Sequence, residues 1–190
     1  MTPDASIYSD AVILIGPMKS GKTTVGKLLA DRLDCTFTSL DLLEHDYAIE
    51  VGFDDDIASV LQAEQGGLAR YMYRRQFFSD VVVHFLREHR EGVLELGGGH
   101  PIAPDDAGQV KINQALQSFR NVVLLLPSAD IQESLAILKQ RQKPEYREPD
   151  LNELFLSGNC YFDLASIVIY SQGKSASETC DEILRALTKV

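Results

Sequence analysis

The sequence predicts a single α/β domain built on a mostly parallel sheet, and three observations carry that prediction. Short apolar runs rich in β-branched residues alternate with segments of helical spacing along the chain. The runs are apolar throughout rather than alternating, which marks strands covered on both faces. No internal repeat, linker or low-complexity tract divides the 190 residues, a length that suits one core.

Each element follows from local signals. Ala11–Ile15 is a buried strand that ends at Gly16. Thr23–Leu33 places Val25, Leu28, Leu29 and Leu33 on one side of a helix. Cys35–Leu40 reads as a second strand, and Asp41–Glu50 as a helix with Asp41 near its cap. Ile57–Leu61 is a short helix, and Leu68–His89 a longer one interrupted in polarity by Arg70, Arg74 and Arg75. Gly92–Leu96 is the third strand and runs into Gly97-Gly98-Gly99. Val110–Phe119 is helical, and Asn121–Leu126 is a fourth strand stopped by Pro127. Asp130–Gln140 is helical, Lys143–Asp150 is a polar loop with two prolines, and Ser166–Tyr170 is the fifth strand. The capping box Ser175-x-x-Glu178 opens the last helix.

Composition narrows the partners. With 28 acidic against 18 basic side chains, the formal net charge is -10. That balance argues against general binding to nucleic acid or anionic membranes, while a local basic pocket can still hold a small anion. The N-terminal residues do not have the pattern of a signal peptide, and no run reaches the roughly 18 apolar residues of a membrane span. Three widely spaced cysteines, Cys35, Cys160 and Cys180, suggest neither a disulfide framework nor a zinc site. A cytoplasmic protein is expected, as a monomer or weak homodimer.

The strongest motif is Gly16-Pro-Met-Lys-Ser-Gly-Lys-Thr23, which matches the phosphate-binding pattern G-x-x-x-x-G-K-[ST] between a strand and a helix. Its glycines let backbone N–H groups turn toward an anion, and the helix behind adds the positive end of its dipole. The expected ligand is ATP, held by Gly16, Lys19, Ser20, Gly21, Lys22, Thr23 and Thr24. Lys22 is expected to reach the β- and γ-phosphates, and the Thr23 hydroxyl to ligate Mg²⁺. For Lys19 two positions are open, beside the phosphates or out in solvent.

Beyond this loop the chain resembles the shikimate kinase family of small P-loop kinases. The resemblance rests on Gly16-Pro-Met-x-x-Gly-Lys-Thr-Thr-Val-Gly26, on Phe37-x-x-x-Asp41, on Ile57 through Arg70, and on Leu96-Gly-Gly-Gly99 after a strand. Val122–Leu126, the polar loop and the Ile167–Leu187 tail follow in the same order. The resemblance implies a three-layer P-loop NTPase fold of the nucleoside-monophosphate-kinase type. Its five-stranded parallel sheet has order 2-3-1-4-5 and is flanked by helices. It implies acceptor-binding helices at about 41–90 and a lid at about 139–152. It aligns Asp41 with an aspartate that contacts the acceptor hydroxyl, and Arg70 with an arginine that pairs with an acceptor carboxylate. Gly97, Gly98 and Gly99 would let backbone amides approach the acceptor, and Arg141 or Arg147 of the lid would reach the phosphates.

The chain departs from that pattern at several places. Ser39 stands where the family has the first acid of Asp-x-Asp, and Ser157 stands where a second acceptor-binding arginine precedes Tyr161. The lid carries Arg141-Gln-Lys-Pro144 in place of the family's Arg-Pro-Leu-Leu, and the family's Gly-Glu before the acceptor arginine is displaced, near Gly66-Gly67.

Several residues admit two roles. Asp41 can orient the acceptor hydroxyl and take its proton, or cap a helix. Glu95 on the third strand can make a water-mediated Mg²⁺ contact that replaces the missing acid at Ser39, or form an ion pair. Arg70, Arg74 and Arg75 can bind an anion or form a solvated face. His100 can touch an acceptor oxygen or be structural. Tyr71, Tyr73, Phe77 and Phe78 read as core. The expected activity is transfer of the ATP γ-phosphate to a hydroxyl of a small molecule, shikimate or a related hydroxy acid. A nucleoside or nucleotide kinase and a non-catalytic ATP-binding protein are the alternatives.

Overall fold

The structure is a computed structural model that describes residues 11–143 and 150–188. Five strands form one parallel sheet: β1 (Val12–Ile15), β2 (Phe37–Ser39), β3 (Val93–Glu95), β4 (Asn121–Leu126) and β5 (Ile167–Tyr170). Their order is β2-β3-β1-β4-β5, as the resemblance implied. Ten helices are described: α1 (Lys22–Leu33), α2 (Leu40–Glu50), α3 (Asp55–Gln65), α4 (Gly67–Arg75), α5 (Phe78–Glu88), α6 (Asp106–Leu116), α7 (Ile131–Arg141), α8 (Leu151–Leu156), α9 (Cys160–Leu164) and α10 (Ala176–Leu187).

The three layers follow from the two-residue period of the strands. In β1, Val12 and Leu14 join a core with Val25 and Leu29 of α1 and Ile183 and Leu187 of α10. Ile13 and Ile15 point the other way, into a core with Val81, Val82 and Phe85 of α5 and Ile112 and Leu116 of α6. Both β1 and β4 are buried along their whole length, which explains why their sequences are apolar without alternation. The parallel register pairs Leu14 with Glu95 and Val123, and Ser39 with Glu95.

The helix expected at Val110–Phe119 runs from Asp106 to Leu116, and three further differences from the sequence expectation lie nearer the site. The stretch expected as one helix over Leu68–His89 is two, α4 and α5, separated at Gln76 and Phe77. The break lets Arg75 turn inward to the carbonyls of Ile102 and Ala103 while Phe78 packs on His100. Asp41 lies in the first turn of α2, and the cap position belongs to Ser39. The carboxylate of Asp41 is therefore not the cap. The short helix expected at Ile57–Leu61 extends over Asp55–Gln65, because Asp54 caps it through the N–H groups of Asp56 and Ile57.

Candidate active site

Among the described residues, the predicted donor, metal and acceptor residues other than Arg70 gather at the carboxyl ends of the strands, where ligands bind in open parallel sheets. The phosphate loop leaves β1 at Gly16. A Cβ at Gly16 would stand 2.5 Å from the carbonyl oxygen of Leu125 on β4, so the loop passes too close to the sheet for any side chain. Lys22 is buried and its Nζ donates to the carbonyls of Gly16 and Pro17, at 2.9 and 3.0 Å. Burial lowers its pKa below the ordinary lysine value, and the charges of Glu95 and Asp41 act against that shift. An ammonium held in this way gains when an anionic phosphate arrives.

Thr23 donates its hydroxyl to Glu95 Oε1 at 2.7 Å. Glu95 is 2% exposed, and its Oε2 has no hydrogen-bond partner among the described residues. The buried hydroxyl of Ser20 is likewise unpartnered. A buried carboxylate oxygen and a buried hydroxyl left open beside Thr23 and Lys22 fit a hydrated Mg²⁺ and a phosphate chain. Ser39, which lacks the carboxylate expected at that strand end, is the direct register partner of Glu95. The acid thus lies one strand over, at the same level of the sheet.

One cavity of about 540 Å³ joins these groups. Met18, Lys19, Gly21, Lys22, Thr23, Thr24, Asp41, Glu95, Gly98 and Arg141 line it. Arg141, at the end of α7, donates from Nη1 to the carbonyl of Lys19 at 3.2 Å, over the phosphate loop. Lys19 is exposed at the cavity rim. Arg147 lies outside the described residues. A larger hollow of about 740 Å³, lined by α5 and α6 residues such as Arg87 and Lys111, contains none of the predicted site residues.

The triple glycine after β3 works by close approach. A Cβ at Gly97 would collide with the carboxylate of Asp41 and lie 2.7 Å from His100 Nδ1. A Cβ at Gly98 would lie 2.7 Å from the backbone nitrogen of Met18 in the phosphate loop. Gly99 packs against the Tyr71 hydroxyl and the Phe155 ring. The turn therefore brings Asp41, the phosphate loop and α8 onto three consecutive residues. Tyr161 is fully buried and donates its hydroxyl to the carbonyl of Gly98. Burial pushes its pKa far up, with Tyr71 and Cys160 adding to the shift, so the hydroxyl stays a donor.

Four residues of this region carry more than their local sequence suggested. Asn152 on α8 is fully buried and clips the phosphate loop: its Oδ1 accepts from Met18 N at 2.9 Å and its Nδ2 donates to Met18 O at 3.2 Å. His100 is 2% exposed, and its Nδ1 accepts the Gly97 N–H at 2.9 Å. The ring proton is therefore on Nε2, which faces Glu44 Oε2 at 3.4 Å. Asp41 Oδ1 lies 3.7 Å from Nδ1, but with that nitrogen accepting from Gly97 the approach is not an ion pair. Glu44 also pairs with Arg74 Nε. Burial alone would raise the Glu44 pKa, yet His100 and Arg74 outweigh it and hold the carboxyl below its ordinary value. These partners lie up to 134 residues apart in the chain, so no short motif could have shown them.

Arg70 stands apart from the cavity. It donates to Gln62 Oε1 at 3.1 Å and lies 4.0 Å from Asp55, both on α3. Ser157, at the position of the absent arginine, donates to the carbonyl of Leu154 at 2.8 Å.

The shikimate kinase family model matches residues 18–188 of this chain. The shikimate kinase of Colwellia psychrerythraea is 28% identical over 184 residues, covering 93% of this chain and 95% of its own. That of Acinetobacter baylyi is 30% identical over 176 residues, covering 93% and 91%. Among solved structures, shikimate kinase from Acinetobacter baumannii in complex with shikimate superposes with a TM-score of 0.64 at 21% identity, over 95% of this chain and 94% of the other. The fold agrees with that likeness, and the family match spans nearly the whole chain, with the phosphate loop from Met18 onward and the triple glycine inside it. The chain belongs to the shikimate kinase family and is an ATP- and Mg²⁺-dependent phosphotransferase with a hydroxyl acceptor.

Proposed function

We propose that the chain, one P-loop kinase domain over residues 1–190, transfers the ATP γ-phosphate to a hydroxyl of shikimate or a closely related hydroxy acid. The observation that carries this reading is the single cavity in which Lys22, Thr23, Glu95 and Asp41 meet. The relatives' names and the shikimate held by the Acinetobacter baumannii enzyme support the choice of acceptor.

In this mechanism the phosphate loop and Lys22 hold the β- and γ-phosphates. Thr23 would hold Mg²⁺ directly and Glu95 through water, and the ion would supply positive charge against the phosphates. Asp41 orients the acceptor hydroxyl in line and takes its proton. Gly97, Gly98 and Gly99 line the acceptor side with backbone, and Arg70 approaches an acceptor carboxylate only if α4 shifts from its contacts with α3. Lys19, Ser20, Gly21 and Thr24 complete the donor site. Arg141, in the lid at about 139–152, adds positive charge to the γ-phosphoryl group and helps exclude water. The helices at about 41–90 form the acceptor side. We assign the protein to the cytoplasm as a monomer or weak homodimer, consistent with the lack of a helix long and apolar enough to cross a membrane among the described residues.

A coupled ADP-release assay over shikimate, other hydroxy acids, sugars and nucleosides tests the proposal, with Lys22→Ala as control. Shikimate or a related hydroxy acid is expected to raise ADP release well above the control. If no acceptor does so while ATP still binds, the proposal fails. Asp41→Asn is expected to keep ATP affinity and lose turnover, and unchanged turnover would remove Asp41 from the chemistry.

A further inference from the structure

Beside the triple glycine, Asp41, Glu44 and His100 each bring a polar atom within 4.8 Å of the others. Asp41 approaches His100, His100 Nε2 faces one oxygen of Glu44, and the other Glu44 oxygen pairs with Arg74. The Glu44 side chain is 12% exposed and that of Arg74 is 25% exposed. This places a carboxylate between a guanidinium and an imidazole, next to the residue assigned to the acceptor hydroxyl.

The other guanidinium groups of α4 have different partners. Arg75 is 7% exposed and is held by two main-chain carbonyls, at 3.3 Å each. Main-chain carbonyls have no charge to trade for an entering anion. Arg70 faces α3. On α4, Arg74 alone is paired with a carboxylate that lies beside both His100 and Asp41. That carboxylate has the same charge and the same planar pair of oxygens as a carboxylate on a ligand. It also has a second anchor. If Arg74 turns to another carboxylate, Glu44 keeps the Nε2–H of His100, so it is not left as an unpaired buried charge.

We propose that Glu44 is a built-in occupant of the carboxylate position on Arg74, so that an acceptor bearing a carboxylate binds by exchange. The entering carboxylate takes Arg74, and Glu44 remains on His100. An uncharged acceptor has nothing to offer Arg74 and leaves the pair closed. The Glu44–Arg74 pair thus sets the charge preference of the acceptor site. This inference rests on the proposed hydroxy-acid acceptor.

The test is titration calorimetry on the full chain saturated with ADP and Mg²⁺. Shikimate and its uncharged carboxamide are titrated into the wild type, Glu44→Gln, Arg74→Gln and the double variant. Glu44→Gln is expected to tighten shikimate by about tenfold and to leave the carboxamide within about twofold. Arg74→Gln is expected to weaken shikimate by at least about tenfold. In the double variant the tightening due to Glu44→Gln disappears, because it acts through Arg74. The double variant keeps the local charge balanced, so the comparison survives if one single variant is poorly stable. Weaker shikimate binding in Glu44→Gln would overturn the proposal, since Glu44 would then be a fixed brace for Arg74. Equal tightening with and without Arg74, or equal tightening of the carboxamide, would overturn it as well. So would a lack of shikimate binding in both wild type and Glu44→Gln. Phosphotransfer is judged separately, by ADP release over the acceptor panel. Turnover without these binding shifts removes the exchange and keeps the kinase.

Discussion

Glu95 is a carboxylate in a strand end that is otherwise apolar, and a buried acid with one open oxygen is destabilising unless something completes it. Thr23 takes one oxygen, and the other is open where the proposed mechanism puts water on Mg²⁺. Glu95→Gln should therefore weaken Mg²⁺ binding in the ADP complex by about 10–100-fold, the usual effect of losing an outer-shell partner. Magnesium titration followed by calorimetry reads this, and an unchanged affinity would leave Glu95 as a structural partner of Thr23 alone. Gly97 gives a second residue-scale prediction. Gly97→Ala would press a methyl onto the Asp41 carboxylate and the buried His100 ring. It should lower stability by about 1–3 kcal/mol in thermal melts. It should also lower turnover by about a hundredfold through misplacement of Asp41. A fully active Gly97→Ala would mean that Asp41 needs no such close seat. Lys22 and Thr23 could be placed in this cavity from a short, ordered pattern, and Asp41 only through the family resemblance. Glu44, Asn152 and Tyr161 could not, because each acts through a partner brought close only by the fold.

At the level of elements, the strands were the easiest to read. β4 coincides with the predicted Asn121–Leu126, since continuous burial gives a continuous apolar run. The helices of the acceptor side were harder. The polarity of residues 68–89 carries no break signal of the glycine or proline kind, so two helices looked like one. The helix α8 is only six residues long and gives too short a pattern to detect. Yet α8 couples Gln142, just past α7, to the phosphate loop. Asp150 caps α8 through Asn152 N at 3.0 Å and accepts from Gln142 Nε2 at 3.2 Å, and Asn152 then grips both polar backbone groups of Met18. Asn152→Ala should leave those groups short of partners and reduce stability by about 2 kcal/mol. It should also raise KM for ATP, because the loop loses its fixed shape. Asn152→Asp retains the acceptor for Met18 N and loses the donor to Met18 O. An intermediate loss in thermal melts and ATP kinetics is therefore expected. If Asn152→Ala melts and binds ATP like the wild type, the clip has no role in donor binding.

For the whole molecule, the parallel order places the carboxyl ends of β1, β2 and β3 side by side, so the phosphate loop, Asp41 and the triple glycine share one cavity. The alternation of strand and helix indicated a parallel sheet, while the strand order came only through the family resemblance. The helices α2 and α4 join this frame through Glu44, which connects α2 to α4 through Arg74 and to the loop after β3 through His100. That connection makes overall stability depend on pH with a definite sign. The folded-state pKa of Glu44 lies below its ordinary 4.5. A depressed carboxyl contributes stability that is fully present above the unfolded value and is lost as pH falls through the folded one. The wild-type Tm should therefore fall as pH drops below about 4.5, with part of that fall due to Glu44. Glu44→Gln should melt at a lower temperature at neutral pH, and the gap between the two curves should narrow as acid is added. Thermal melts from about pH 7 down to about pH 3 measure it across the range where carboxyls titrate. Parallel curves throughout would show that Arg74 and His100 do not stabilise an ionised Glu44. Convergence would show that the ion pair proposed to open for the acceptor also holds α2, α4 and the glycine turn together in its absence.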